Sequence, residues 1–153
     1  MRLAAVVSAL ILLVTVATLV GRQQARPTVE VYKSPTCGCC SLWVEHLQAN
    51  GFTVRTSERD DPALADLKAK HGIPATARSC HTALVNGYVI EGHVPAADVQ
   101  RLLKERPAVV GLAVPGMPIG SPGMEVAGQP MQPFNVLAFD KAGQTRVFAS
   151  HGK

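Results

Sequence analysis

Hydrophobic positions along the chain fall into three regimes. Leu3 to Val20 is an unbroken apolar run softened only by Ser8, Thr15 and Thr18. From Val29 to Lys104, short apolar stretches alternate between strand and helix periods. From Gly111 to Pro133 periodicity is absent, and it returns near Asn135. In the middle regime, Val29-Glu30-Val31-Tyr32 predicts a strand over about 28–32. Ser41-Leu42-Trp43-Val44-Glu45-His46-Leu47 repeats apolar positions at helical spacing and predicts a helix near 40–49. Asn50-Gly51 suits the left-handed cap that would end it. Phe52-Thr53-Val54-Arg55-Thr56 predicts a second strand. A second helix follows with Asp61 as N-cap and Pro62 at its first position; it carries Leu64 and Leu67 and ends at His71-Gly72. Thr82-Ala83-Leu84-Val85 and Tyr88-Val89-Ile90-Glu91 flank Asn86-Gly87, a strong hairpin signal. Ala96 to Lys104 forms a third helix, closed by Pro107. The order through residue 106 is β-α-β-α-β-β-α, an α/β class with parallel strands joined by right-handed crossovers.

The outer regimes set the domain organisation. Residues 1–25 read as a signal peptide or an N-terminal membrane anchor, with Met1-Arg2 as a minimal positive start. No clean A-x-A cleavage pattern appears near Val20-Gly21-Arg22-Gln23-Gln24-Ala25, so both alternatives stand. Residues 26–153 make one domain. Within it, 107–133 is a Gly/Pro/Met-rich loop, either ordered or a flexible arm, and 134–150 is an extra β-hairpin. That hairpin either extends the sheet or folds back as a flap over the site.

Composition changes this picture only by exclusion. The 153 residues have room for a single core. The formal charge of +4 falls to +2 once Arg2 and Arg22 of the leader are set aside. With no Lys/Arg cluster and 5% aromatic residues, nucleic-acid binding is not expected.

The candidate chemistry is sulfur chemistry. Cys37-Gly38-Cys39-Cys40 and Cys80-His81 hold all four cysteines. The first group sits on a strand-to-helix turn, with Cys40 at or inside the first helical turn. Free backbone N–H groups and the positive helix end there favour thiolate over thiol. Thiolate is both a nucleophile and a soft-metal ligand. Two structural disulfides are an alternative for an exported chain, but three cysteines within four residues make a poor staple. Cys37 and Cys40 keep C-x-x-C spacing, so a dithiol/disulfide couple is open as well.

The element order resembles the thioredoxin and glutaredoxin arrangement over about residues 28–106. In that fold the loop before the hairpin packs on the cysteine turn, which implies that Cys80 sits beside Cys37, Cys39 and Cys40. Ser79-Cys80-His81 stands where glutaredoxin-like proteins place Thr-Val-Pro with a cis proline. His81 in place of that proline argues against disulfide exchange. Ile73-Pro74 offers a competing alignment in which Pro74 is the cis proline. Four gathered thiolates select soft metals, and their crowding favours a bridged polynuclear Cu(I) site over zinc.

Ser79-Cys80-His81-Thr82, Gly92-His93-Val94-Pro95-Ala96 and the Pro115–Glu125 segment resemble the exported copper-resistance proteins of the CopG type, a bacterial family with a thioredoxin-like fold. The resemblance implies a cysteine-bridged multinuclear copper site with Cys37, Cys39, Cys40 and Cys80 as ligands. It further implies a periplasmic, exported copper-resistance role, Cu(I)/Cu(II) redox, and copper ions and other periplasmic copper-handling proteins as partners. His81 is a further candidate ligand or a loop-shaping residue. Met117 and Met124 are candidate thioether donors or gap fillers, and Met131 is a weaker one. His93 is open between capping, packing and ligation. His46, His71 and His151 are expected at the surface, and Trp43 in the core beside the site. No catalytic residue is assigned. The rival function is a thiol–disulfide oxidoreductase in which Cys37 attacks and Cys40 resolves. A third is a structural zinc or disulfide domain that docks a partner through its Met-rich arm.

Overall fold

A computed structural model describes residues 26–152. The leader, expected as signal or anchor, lies outside the described residues. Strand β1 (Thr28–Lys33) is followed by helix α1 (Gly38–Ala49), strand β2 (Thr53–Glu58) and helix α2 (Asp61–Lys70). A 3-10 turn at Ala75–Ala77 leads to the hairpin of β3 (Thr82–Val85) and β4 (Tyr88–Glu91). Helix α3 (Ala96–Glu105) and strands β5 (Gly111–Ala113), β6 (Phe134–Phe139) and β7 (Thr145–His151) complete the chain. The expected β-α-β-α-β-β-α order is present, with three strands added after it.

All seven strands join one sheet in the order β2-β1-β3-β4-β5-β6-β7. β1 pairs with β2 in parallel through the α1 crossover, and β4 pairs with β5 in parallel through α3. The other pairings are antiparallel. Asn86 and Gly87 both take positive φ, +46° and +85°, which the two-residue hairpin turn requires. Alternation then sorts each strand onto two faces. Val29, Val31, Ala83, Val85, Ile90, Leu112 and Val136 pack with Trp43 and Leu47 of α1 and Val99 and Leu102 of α3. Ile73, Ala77, Val89, Ala113 and Phe139 form a smaller cluster on the opposite face.

Several expectations are corrected. Asp60, not Asp61, caps α2: its carboxylate accepts the Ala63 N–H at 2.9 Å, and Pro62 moves to the second helical position. The segment after Pro107 is not all loop. Gly111–Ala113 is a strand because its backbone completes the hydrogen bonds of β4, although three residues carry no periodic signal. Of the two placements open for the C-terminal hairpin, the structure takes the first, extending the sheet through β5.

Candidate metal centre

β1 ends at Lys33, and Ser34-Pro35-Thr36 turns the chain so that Cys37 becomes the N-cap of α1. The Cys37 N–H closes the turn onto the Ser34 carbonyl at 3.2 Å. Among the described residues no side-chain hydrogen bond caps the helix, which leaves its first N–H groups without partners at the cysteine turn. Gly38, Cys39 and Cys40 then form the first turn. Cys40 is fully buried, whereas Cys37 and Cys39 are half-buried. Cys37 and Cys40 are joined as a disulfide, and Cys39 and Cys80 remain as thiols. The Cys39 sulfur lies 3.6 Å from that of Cys37.

Cys80 arrives from the loop between the 3-10 turn and β3. Its sulfur lies 3.1 Å from His93 Nε2 and 3.3 Å from His81 Nδ1. Burial pushes the Cys80 thiol up to about 11, and the nearby Cys39 pushes in the same direction; the Ser79 hydroxyl and Lys68 oppose them. Cys80 is therefore a thiol at neutral pH and must lose a proton to ligate metal.

His93 is held in one tautomer. Its Nδ1 lies 2.8 Å from the Pro122 carbonyl, which can only accept, so Nδ1 carries the proton and Nε2 turns a lone pair toward Cys80. This is the arrangement of a metal-ligating histidine braced by a backbone carbonyl. Burial lowers the His93 pKa. His81 is fully buried, and burial, then the charges of His93 and Lys68, hold its pKa well below the usual value. Its Nε2 has no hydrogen-bond partner among the described residues. The Trp43 ring packs tilted against His81, centroids 4.3 Å apart, and its indole N–H donates to the Val94 carbonyl at 2.9 Å, so it is core beside the site, as expected.

Two overlapping donor sets result. The sulfurs of Cys37, Cys39, Cys40 and Cys80 lie within 4.8 Å of one another, as do donor atoms of Cys80, His81 and His93. Cys80 belongs to both. The Pro115–Glu125 segment closes over them. Pro122 holds His93, and a Cβ on Gly123, at φ +85°, would come within 2.8 Å of both the Cys39 carbonyl and the Trp43 nitrogen. Ser79 Oγ donates to the Gly116 carbonyl. The segment is an ordered lid, not a flexible arm. Met117 follows Gly116 and is exposed; Met124 follows Gly123 and is half-buried.

Beneath the Cys80 loop lies a buried ionic network. Lys68 of α2 reaches Glu91 Oε1 at 2.6 Å and Thr82 Oγ1 at 3.0 Å. Glu91 also accepts the Ser79 N–H at 2.7 Å and the Thr82 hydroxyl at 2.7 Å. The carboxylate thus grips both ends of Ser79-Cys80-His81-Thr82.

His93 is the site residue that sequence reasoning left open. A signal for it exists in the hairpin register. Val85 pairs with Tyr88 and Thr82 with Glu91, and two further steps outward from Asn86-Gly87 set Cys80 opposite His93. The other histidines are not plain surface residues. His46 Nε2 accepts the Ala96 N–H at 3.0 Å and so caps α3. His151 Nε2 meets Asp98 at 2.7 Å and stacks on Phe134. His71, half-buried, is the C-cap of α2. Pro74 precedes the 3-10 turn, and the loop that meets the cysteine turn is Ser79-Cys80-His81.

The α/β domain thus gathers four cysteines and two histidines under one segment, and donors of these types are ones that soft metals select. Residues 77–124 match the family model described as "Protein of unknown function, DUF411". No curated protein sequence matches. Two solved structures, titled "Copper resistance protein copG- Form 2" and "Copper resistance protein copG- Form 1", each superpose with a TM-score of 0.75 at 41% identity. In both cases the match covers 82% of this chain and 98% of the other. The chain belongs to the CopG family of copper resistance proteins.

Proposed function

We propose that this protein is an exported copper-handling protein acting in copper resistance, with several Cu(I) ions as cargo of its cysteine cluster. The observation that carries this is the convergence of four cysteine sulfurs from two distant chain segments within 4.8 Å. Four thiolates in so small a volume must share metal ions or repel one another, and bridging thiolates with Cu(I) meet that demand. With Cys37 and Cys40 reduced, Cys37, Cys39, Cys40 and Cys80 hold the ions. His93 and His81 supply nitrogen at the buried end, and Met117 and Met124 thioethers from the lid. His81 Nδ1, 3.3 Å from the Cys80 sulfur, is the nitrogen placed to join that donor set. Residues 1–25 serve as the export signal or anchor and 26–153 as the metal-binding domain. Its setting is the periplasm, where other copper-handling proteins exchange ions with it.

The Cys37–Cys40 disulfide favours a second reading, thiol–disulfide exchange, in which the half-buried Cys37 attacks and the buried Cys40 resolves. Metal analysis of the chain produced with both copper and zinc supplied separates the two. Several coppers per chain, lost together in Cys80→Ser, are expected. A metal-free protein cycling only its disulfide, or a single zinc, would overturn the copper reading.

A further inference from the structure

The two ends of the sheet carry different chemistry. β1 rises from Thr28 to Lys33 and the cysteine turn, while α3 descends from Ala96, close to His93 in the chain, to Glu105. The six residues of β1 span roughly 20 Å. At the end away from the metal centre lies an open groove of about 750 Å³. It forms where β1 begins, where α1 gives way to Gly51, at the β3–β4 turn and along the last turn of α3. Arg26, Lys104 and Arg106 line it, all exposed, and no acidic side chain does. Arg26 lies far in sequence from the other two, so only the fold assembles this cluster.

We propose that this groove docks on the anionic phospholipid headgroups of the membrane that holds the leader, so that the metal centre faces away from the bilayer. This rests on the reading of residues 1–25 as an anchor and names the surface that meets the lipid. The apolar run ends at Val20 and the groove begins at Arg26. That stretch of chain reaches at most about 20 Å when extended. The groove is therefore held close to the headgroups, and Arg22, inside the stretch, adds a further positive charge. An exposed charge feels the lipid only within a Debye length, about 8 Å at physiological salt. The attraction thus acts on the side chains of this end and not on the metal centre.

Lys104 and Arg106 close α3, where positive side chains also complement the helix dipole. Arg26 belongs to no helix yet shares the groove, so dipole pairing does not account for the cluster. Glu105 and Asp140 lie at the same end of the sheet but outside the groove lining. Thr28 and Asn86 line the same groove and offer a hydroxyl and a carboxamide, donors that suit phosphate oxygens. Docked in this way, the domain turns Cys37, Cys80 and the 115–125 segment toward water, the side from which ions arrive.

The test places the full chain, through its leader, in lipid nanodiscs of phosphatidylcholine alone or with phosphatidylglycerol. Backbone hydrogen exchange is then followed by peptide mass. Exchange over 26–28, 50–52, 86–88 and 100–106 is expected to slow in the anionic discs relative to the neutral ones. Over 37–42 and 115–125 it should keep one rate in both. Each basic side chain near an anionic surface is worth about five-fold in the docking equilibrium. Lys104→Gln combined with Arg106→Asn, a residue suited to the φ of +49° there, should therefore weaken docking by about 25-fold. Its groove segments then exchange as in neutral discs, while its melting transition in neutral discs matches that of the native chain. Equal exchange in both discs, for a chain that stays in the membrane through carbonate washing, overturns the proposal and leaves the anchor standing. Inorganic phosphate that slows exchange in neutral discs as much as the anionic lipid does makes the groove a free-anion site, which also overturns it. A chain released by carbonate ends the anchor reading and the proposal with it.

Discussion

His81 and His93 occupy neighbouring positions, yet their surroundings assign them different work. Pro122 orients the His93 ring, so its free nitrogen is aimed before any ion arrives. His81 is wedged against Trp43 with one nitrogen unsatisfied. Replacing His93 by Gln removes a pre-aimed donor and leaves the core intact. Its Cu(I) affinity is expected to fall by about 10-fold or more, since even the outer partners of a metal ligand are worth about 10–100-fold. Competition with a Cu(I) chelator measures this, and unchanged affinity would remove His93 from the ligand set. His46 offers a residue-scale test without metal. Burial lowers its pKa from the usual 6.5, with Glu125 partly opposing, and its Nε2 must stay unprotonated to accept the Ala96 N–H. The unfolded chain then binds the proton more readily, so stability rises with pH across this range. The His46 contribution is complete above about 6.5 and is lost as pH falls below it. His81 and His93 shift in the same direction, so the test is comparative. Denaturation midpoints followed from pH 7.5 to 5.5 are expected to fall less steeply in His46→Leu than in the native chain.

At the scale of elements, the Cys80 loop depends on a pair of charges that no local pattern announces. Lys68 reads as a solvent-facing helix position, and Glu91 as the polar end of a strand. Folding buries both, because β4 and α2 meet on the same sheet face. Burial raises the Glu91 pKa, against the pull of Lys68. A buried pair adds little net stability, but removing one partner strands the other. Lys68→Met is therefore expected to cost about 3–5 kcal/mol in urea unfolding. The double variant Lys68→Met with Glu91→Leu should recover much of that loss, and a cost below about 1 kcal/mol for the single change would show that the pair is solvated. The strands β3 and β4 were legible to the residue because Asn86-Gly87 fixes their turn and register. β5 was not, since Gly111-Leu112-Ala113 is a strand only through its neighbours. The Asp60 cap was missed by one position because two adjacent aspartates offer the same local signal and only the turn geometry selects between them. The four cysteines could be grouped from fold analogy, whereas the His93 contact and the lid contacts of Pro122 and Gly123 arise from distant segments.

At the scale of the molecule, the question is whether the Cys37–Cys40 bond holds the fold or serves the site. The bond closes a loop of about four residues, which the chain-entropy treatment values at roughly 2 kcal/mol. The sheet, by contrast, is packed on both faces by Val29, Trp43, Leu47, Ile90, Leu102, Leu112 and Phe139, all fully buried. Each such side chain contributes about 1.5–3 kcal/mol of burial, so the core does not depend on the bond. Reduction in a chelator is therefore expected to leave one cooperative thermal transition, lowered by roughly 5–10 °C. Adding Cu(I) to the reduced chain should then raise it, since ligand held only by the native state stabilises by about 2.7 kcal/mol at a free concentration of 100 times Kd. The oxidised chain, with two of its four sulfurs bonded to each other, should gain less from the same addition. Calorimetry on the four states, oxidised and reduced with and without Cu(I), gives the result directly. Unfolding on reduction alone would make the disulfide a staple and the cluster incidental. A larger Cu(I) shift in the reduced chain than in the oxidised one would make the bond a gate on the donor set.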